Sequence, residues 1–181
     1  MERAKNNLIQ KLLYESLSIA VAVIFAIALP QFFHDFGKII GMDNKFGQMF
    51  LPMYLPVLVL SFKVSPVAGT IGGILSPVIS FTISGMPSAA TLPLIIIELA
   101  CFGLFAGIIR NRTKSLFTQI LFVQISSKIV RIIATIILSC FISNFTISFS
   151  IILNTIIIAI PGYILQLLVV PYFIGKSDDN E

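Results

Sequence analysis

Six long hydrophobic runs, separated by short polar stretches, constrain the fold of this chain more than any other feature. Hydrophobic residues make up 57% of its 181 residues and charged residues only 11%, whereas a soluble domain carries roughly 25% charged residues. So few charges leave too little polar surface for a soluble globule, and we expect lipid to solvate most of the exterior. The runs cover residues 12–30, 49–62, 66–84, 92–109, 115–142 and 147–174.

These runs predict an all-α integral membrane protein. We expect one bundle of six transmembrane helices over residues 1–176 and a short polar tail over 177–181. The first run is interpreted as a transmembrane helix and not as a cleaved signal, because the rest of the chain is equally hydrophobic. Run 49–62 is short and contains Pro52 and Pro56, which predicts a kinked helix covered by its neighbours. A re-entrant hairpin formed by the second and third runs is the alternative.

The positions of lysine and arginine predict the orientation of the bundle. Cytoplasmic loops of membrane proteins carry an excess of these residues. With the N-terminus inside, six spans put four basic groups on the cytoplasmic side: residues 3–11, Lys63, 110–114 and Lys176. The outer loop, residues 31–48, carries two lysines offset by two aspartates. We therefore expect both termini in the cytoplasm.

The longest predicted loop, residues 31–48, follows the first span. It contains His34, Asp35 and three glycines. Long ordered loops are often lids or binding elements. A plain connector is the alternative, and the sequence does not separate the two.

Three ionisable residues lie within the predicted spans, where a charge is costly and marks a candidate functional site. At about 1.5 Å per residue, Glu98 falls roughly 10 Å below the outer membrane boundary. On the same rise, Lys128 and Arg131 fall roughly 15–20 Å below it, and Asn154 lies near the level of Glu98. We expect all four in the outer half of the membrane. Adjacent fourth and fifth helices would bring Glu98 within reach of Lys128 or Arg131.

The fifth run carries a polar stripe. Gln124, Lys128 and Arg131 share one helical face because they are four and three residues apart. Two interpretations stay open: an ion pair that fastens two helices, or an outward-facing pocket for a polar solute. Two cations and one carboxylate, Glu98, leave one surplus positive charge, which favours a carboxylate or phosphate on the ligand.

Small residues recur at helical spacing in two places. Ser18, Ala22 and Ala26 are four residues apart in the first run, and such spacing allows close helix approach in membranes. Glycines at 69, 72 and 73 in the third run predict close packing as well. Contacts within the chain and contacts with a partner are both open for the glycines.

Several functional motifs are absent from the sequence. It contains no G-x-x-x-x-G-K-[ST] phosphate loop, no H-E-x-x-H and no serine nucleophile elbow. No His, Cys and carboxylate residues have metal-ligand spacing, and no basic stripe is interleaved with aromatic residues. We therefore expect no enzymatic activity, no cofactor or metal, and no nucleic-acid partner.

Several short segments together resemble a known family. They are Leu-Pro-Met-Tyr-Leu-Pro-Val at 51–57, Gly-Thr-Ile-Gly-Gly at 69–73, Ser-Gly-Met-Pro at 84–87 and Glu-Leu-Ala at 98–100. With the A-x-x-x-A pattern of the first run, the chain is similar to the substrate-binding S component of energy-coupling factor (ECF) vitamin transporters. The resemblance covers most of the chain, including its length and its six spans.

The resemblance implies a membrane subunit that binds a vitamin or vitamin precursor from the extracellular side. In this family the S component docks onto a transmembrane coupling subunit, which two cytoplasmic ATPase subunits drive. The implied docking face comprises Ser18, Ala22 and Ala26.

High Ile and Asn content is typical of an AT-rich bacterial genome. Together with the six predicted spans, it leads us to expect a multi-pass protein of a bacterial cell membrane.

The resemblance also implies a substrate pocket at the outer ends of runs four to six, capped by the loop after run one. Met86 and Pro87 are expected at its rim. The expected substrate-binding residues are Glu98, Lys128, Arg131, Asn154, Tyr54 and Gln124.

The alternatives are a self-sufficient permease for a small solute and a non-transporting structural membrane protein. A permease predicts polar residues continuing through the inner half of the bundle, where Gln119 and Gln166 are the main ones. The identity of the substrate is open among pantothenate, a pyridoxine-type or thiamine-precursor pyrimidine, folate, nicotinate and a corrin precursor.

Overall fold

The computed structural model describes residues 2–41, 49–50, 52–110, 112, 115–141 and 157–175. Within these residues the chain is all-helical, without strands, as predicted. The helices are α1 (Glu2–Ile40), α2 (Tyr54–Lys63), α3 (Pro66–Ser84), α4 (Leu92–Ile109), α5 (Leu116–Phe141) and α6 (Ile160–Gly175).

Four of the helices, α1, α3, α4 and α5, are long and apolar enough to cross a membrane, and they indicate a membrane protein. The other two are shorter: α2 has 10 residues and α6 has 16. At about 1.5 Å per residue, α2 is about 15 Å long, roughly half of a 30 Å hydrocarbon core. The second hydrophobic run therefore contains a helix that is too short to cross the hydrocarbon core by itself.

Helix α1 continues past the predicted start of the outer loop. It includes Pro30 and ends at Ile40, so the first ten residues of the expected loop are helical. Apolar side chains continue beyond the proline, and the Phe33 ring packs 5.3 Å from the Phe50 ring. Packing of this kind stabilises a helix across the hydrogen bond that proline removes. The rest of the predicted loop, residues 42–48, lies outside the described residues.

The short helix α2 lies in the centre of the bundle. It packs against α1, α3, α4 and α6, while α5 packs against α4 and α6. Its side chains Leu58 and Phe62 are buried, and the Tyr54 ring meets Phe102 of α4 edge-on at 5.2 Å. Helix α1 also packs against α3, and α3 packs against α4. Five helices therefore follow one another as neighbours in the order α1, α3, α4, α5 and α6, with α2 packed against four of them.

Helix α3 has defined ends. Ser65 precedes it in an extended conformation, and its Oγ accepts a hydrogen bond from the backbone N–H of Ala68 at 3.1 Å. Pro66 follows at the first helical position, where its missing N–H costs nothing. Gly85, with φ of 69°, ends the helix in the left-handed conformation that glycine adopts without strain.

Helices α3 and α4 approach each other closely enough for their backbones to be in contact. A Cβ atom added at Gly73 would overlap the backbone of Leu99, and one added at Gly103 would overlap the backbone of Gly69. Small residues allow this approach between membrane helices. Gly69 and Gly73 therefore serve contacts within the chain. Because Leu99 is adjacent to Glu98, the same contact fixes the rotation of α4 that directs Glu98 into the bundle.

Candidate functional site

The centre of the site is an ion-paired triad of Glu98, Lys128 and Arg131. The Lys128 ammonium donates a hydrogen bond to Glu98 Oε1. Arg131 Nη1 donates to Glu98 Oε2 at 2.6 Å. The structure thus brings together the three charged residues that the sequence singled out within the spans. Each carboxylate oxygen receives one cation, because Lys128 and Arg131 are three residues apart on one face of α5.

Burial differs sharply among the three side chains. Glu98 has 0% of its side-chain surface exposed, whereas Lys128 exposes 15% and Arg131 exposes 22%. The carboxylate is therefore fully enclosed, and the exposed surface of the triad belongs to the side chains of Lys128 and Arg131. A buried charge needs a partner to offset its desolvation, and one carboxylate partners two cations here.

Two tyrosine rings flank the Lys128 ammonium. The Nζ atom lies 5.4 Å from the ring centroid of Tyr54 and 5.6 Å from that of Tyr163. A cation within about 6 Å of an aromatic face is attracted by the negative face of the ring. Tyr54 is the first residue of α2, so the short central helix begins beside the charged triad. This position places Tyr54, a predicted binding residue, in the site.

A second polar group connects α5 to α6. Gln124 Nε2 donates to Gln166 Oε1 at 3.1 Å and to the Tyr163 carbonyl oxygen at 3.3 Å. The Ser127 hydroxyl donates to the Gln124 carbonyl oxygen at 3.1 Å. Gln124 and Gln166 are both buried. Gln124, predicted as a binding residue, therefore joins the triad to α6 through side chains one helical turn away from Lys128.

Two polar atoms of this group have no hydrogen-bond partner among the described residues. They are the Tyr163 hydroxyl oxygen and the Gln166 amide nitrogen, Nε2. A buried polar group without a partner costs about 1–3 kcal/mol, so such groups in a native protein call for an explanation. Here the two atoms belong to Tyr163, whose ring contacts Lys128, and to Gln166, whose Oε1 atom accepts a hydrogen bond from Gln124.

Sequence reasoning did not select Tyr163 or Gln166 as binding residues. Gln166 was considered only as part of an inner-half path for a permease, and the structure instead pairs it with Gln124. A signal was available, because Tyr163 and Gln166 are three residues apart and so share one face of α6. Whether that face packs against α5 depends on how α6 is rotated about its own axis. Hydropathy does not report this rotation.

Of the remaining predicted residues, Asn154 is outside the part of the chain that the structure describes. Met86 and Pro87 belong to the connection between α3 and α4, and Met86 is 40% exposed. On α1, Ser18 and Ala22 are half-buried. Ala26 has no exposed surface, because its face of α1 packs within the bundle.

The residues described here do not contain a group of three or more His, Cys, Asp or Glu side chains that could hold a metal ion. Comparisons with protein-family models, with curated proteins and with solved structures gave no match.

Proposed function

We propose that this chain is the substrate-binding S component of an ECF-type importer, a membrane subunit that captures a vitamin or vitamin precursor from the extracellular side. The observation that carries the proposal is the buried triad, with its two partly accessible cations and the adjacent unpartnered donors. Groups that cost stability inside a membrane are retained where they bind a ligand. In this proposal six segments form the membrane bundle, of which α2 reaches only part of the way across, and both termini lie in the cytoplasm.

The partners in this proposal are a transmembrane coupling subunit and two cytoplasmic ATPase subunits. The sequence contains no phosphate loop, so ATP hydrolysis belongs to the partners. Docking would use the half-buried side of α1 at Ser18 and Ala22. Ala26 has no exposed surface, so it would lie behind that face, in contact with the rest of the chain.

A structural clamp is the second candidate function. It is favoured by one observation: both oxygens of Glu98 are already engaged by cations from a neighbouring helix. A clamp, however, assigns no role to the unpartnered donors of Tyr163 and Gln166. Ligand binding accounts for all of these groups.

The test is thermal unfolding of the purified chain in detergent, in the presence of a panel of B vitamins and their precursors. A ligand at a thousandfold excess over its Kd stabilises the folded state by about 4 kcal/mol. We expect one compound to raise the unfolding temperature of the wild type. Lys128→Gln should reduce that stabilisation by at least about 1.4 kcal/mol, which corresponds to a tenfold loss of affinity.

Lys38→Gln is the matched control, because it removes the same charge from an exposed pair, Lys38–Asp35 at 3.0 Å. It should keep the full ligand response. A panel without any response in the wild type would contradict the binding role and leave a structural protein or a self-sufficient permease. A response of undiminished size in Lys128→Gln would place the binding site elsewhere.

A further inference from the structure

The accessible part of the triad is entirely cationic. Glu98 is fully buried, and the exposed surface of the triad belongs to Lys128 and Arg131. A solute that reaches the triad therefore meets the side chains of Lys128 and Arg131 before it meets the carboxylate. Glu98 holds both cations in place from the buried side of the triad. Each of its oxygens already accepts a hydrogen bond from one of them, so Glu98 is poorly placed to bind a cationic group of the ligand.

The hydrogen-bonding capacity left over in the site consists mainly of donors. A lysine ammonium has three N–H bonds and a guanidinium has five, and each of these groups uses one on Glu98 in the bonds described. The unpartnered Gln166 Nε2 is a donor, and the Tyr163 hydroxyl donates or accepts. The complementary ligand group is therefore rich in acceptors.

Charge balance narrows that group further. The triad carries two positive charges and one negative charge, a net charge of +1, in a buried setting where an uncompensated charge is costly. A ligand with one negative charge makes the occupied site neutral, whereas a phosphate dianion would reverse its sign. A carboxylate also matches the planar fork of a guanidinium group.

We infer that the site takes a carboxylic acid that carries a single negative charge, and that Lys128 and Arg131 bind its carboxylate while Tyr163 and Gln166 donate to neutral acceptors of the same molecule. This inference rests on the proposed binding function and assigns the chemical class of its substrate. Lys128 is oriented by the rings of Tyr54 and Tyr163, so the ammonium is positioned before the ligand arrives.

The experiment compares carboxylic acids with neutral molecules of matched shape on the full chain in detergent. Nicotinate is paired with nicotinamide and pantothenate with its alcohol, pantothenol, and the panel also holds folate, pyridoxine and phosphate as probes. We expect every compound that raises the unfolding temperature to be a carboxylic acid, and its neutral counterpart to bind at least about tenfold more weakly, as the loss of a charged hydrogen bond predicts.

A variant gives the second readout. Lys128→Gln lowers the net charge of the triad from +1 to 0, so it should weaken the acid at least about tenfold. It should weaken the neutral counterpart by a smaller factor, because only the acid loses an attraction between opposite charges. Lys38→Gln should change neither affinity.

The outcomes separate the two proposals. Stabilisation by a vitamin without a carboxylate, or equal affinity for an acid and its neutral counterpart, overturns the carboxylate inference and supports the binding function. Stabilisation by phosphate alone overturns it as well and identifies a phosphate-bearing ligand. No stabilisation by any compound overturns the binding function, and the inference fails with it.

Discussion

The two sides of helix α4 are built in opposite ways. On one side, Gly73 and Gly103 bring the backbones of α3 and α4 into direct contact. On the other, Glu98 reaches two cations of α5 through long side chains. The first contact contains no rotatable side chain and so defines a rigid pair of helices. The second depends on charge and hydrogen bonding, and its cations keep part of their surface accessible.

This difference indicates a division of roles within the bundle. The α3–α4 pair holds the carboxylate in a fixed position, because the Gly73 contact is made on the backbone of Leu99, the neighbour of Glu98. The α5–α6 side provides groups that can exchange partners, including Gln124, Tyr163 and Gln166. A ligand that enters the site would therefore rearrange side chains of α5 and α6 and leave the α3–α4 pair unchanged.

The largest expected effect on stability comes from Glu98→Gln. Removing one partner of a buried ionic group leaves the others uncompensated, which costs roughly 3–5 kcal/mol. Thermal or denaturant unfolding in detergent measures it. In the double variant Glu98→Gln/Lys128→Gln, removal of one uncompensated cation should restore part of the loss, with a coupling energy of about 0.5–3 kcal/mol. Additive losses in the double variant would show that the two side chains do not interact.

A smaller effect is expected at the glycine contact. Gly73→Ala adds a Cβ atom against the Leu99 backbone, and overpacking of this kind costs about 1–3 kcal/mol. It should also displace Glu98 and weaken ligand binding. Gly85→Ala is the comparison, because Gly85 has open space around it and a positive φ, so only backbone strain of about 1–2 kcal/mol is added.

Ligand affinity distinguishes the Gly73→Ala variant from the Gly85→Ala variant. Ligand affinity should fall in Gly73→Ala and stay unchanged in Gly85→Ala. If both variants lose stability and neither loses affinity, the α3–α4 contact does not position the carboxylate.

The smallest expected loss of stability is that of Gln166→Leu, which we compare with the loss in Gln124→Leu. Gln124→Leu removes the donor that serves Gln166 Oε1 and the Tyr163 carbonyl, and unmet buried acceptors cost about 1–3 kcal/mol. Gln166→Leu removes one acceptor and an amide nitrogen that has no partner in the described part of the chain, so its net cost should be under about 1 kcal/mol. Unfolding of the two variants side by side measures the difference, and the reverse order of stability would contradict the hydrogen-bond arrangement.

The features that the sequence predicted are those that depend on solvent. Lipid selects long apolar segments, so hydropathy alone indicated a helical membrane protein. It predicted six spans, and four of the described helices are long and apolar enough to cross a membrane. The same argument selected the triad, because Glu98, Lys128 and Arg131 are the charged residues deep inside apolar runs. The spacing of Lys128 and Arg131 on α5 was sufficient to place both on one face.

Tertiary structure decided the features that depend on how the helices are rotated and at what depth they pack. The half-length helix α2 brings Tyr54 to the triad, and the register of α6 adds Tyr163 and Gln166. Likewise, packing decides that α1 continues past Pro30 and that the Ala26 side of α1 faces the bundle. Hydropathy reports which segments prefer lipid, but all faces of such a segment are apolar. Only side-chain packing between helices, which combines residues far apart in the sequence, determines which face meets which neighbour.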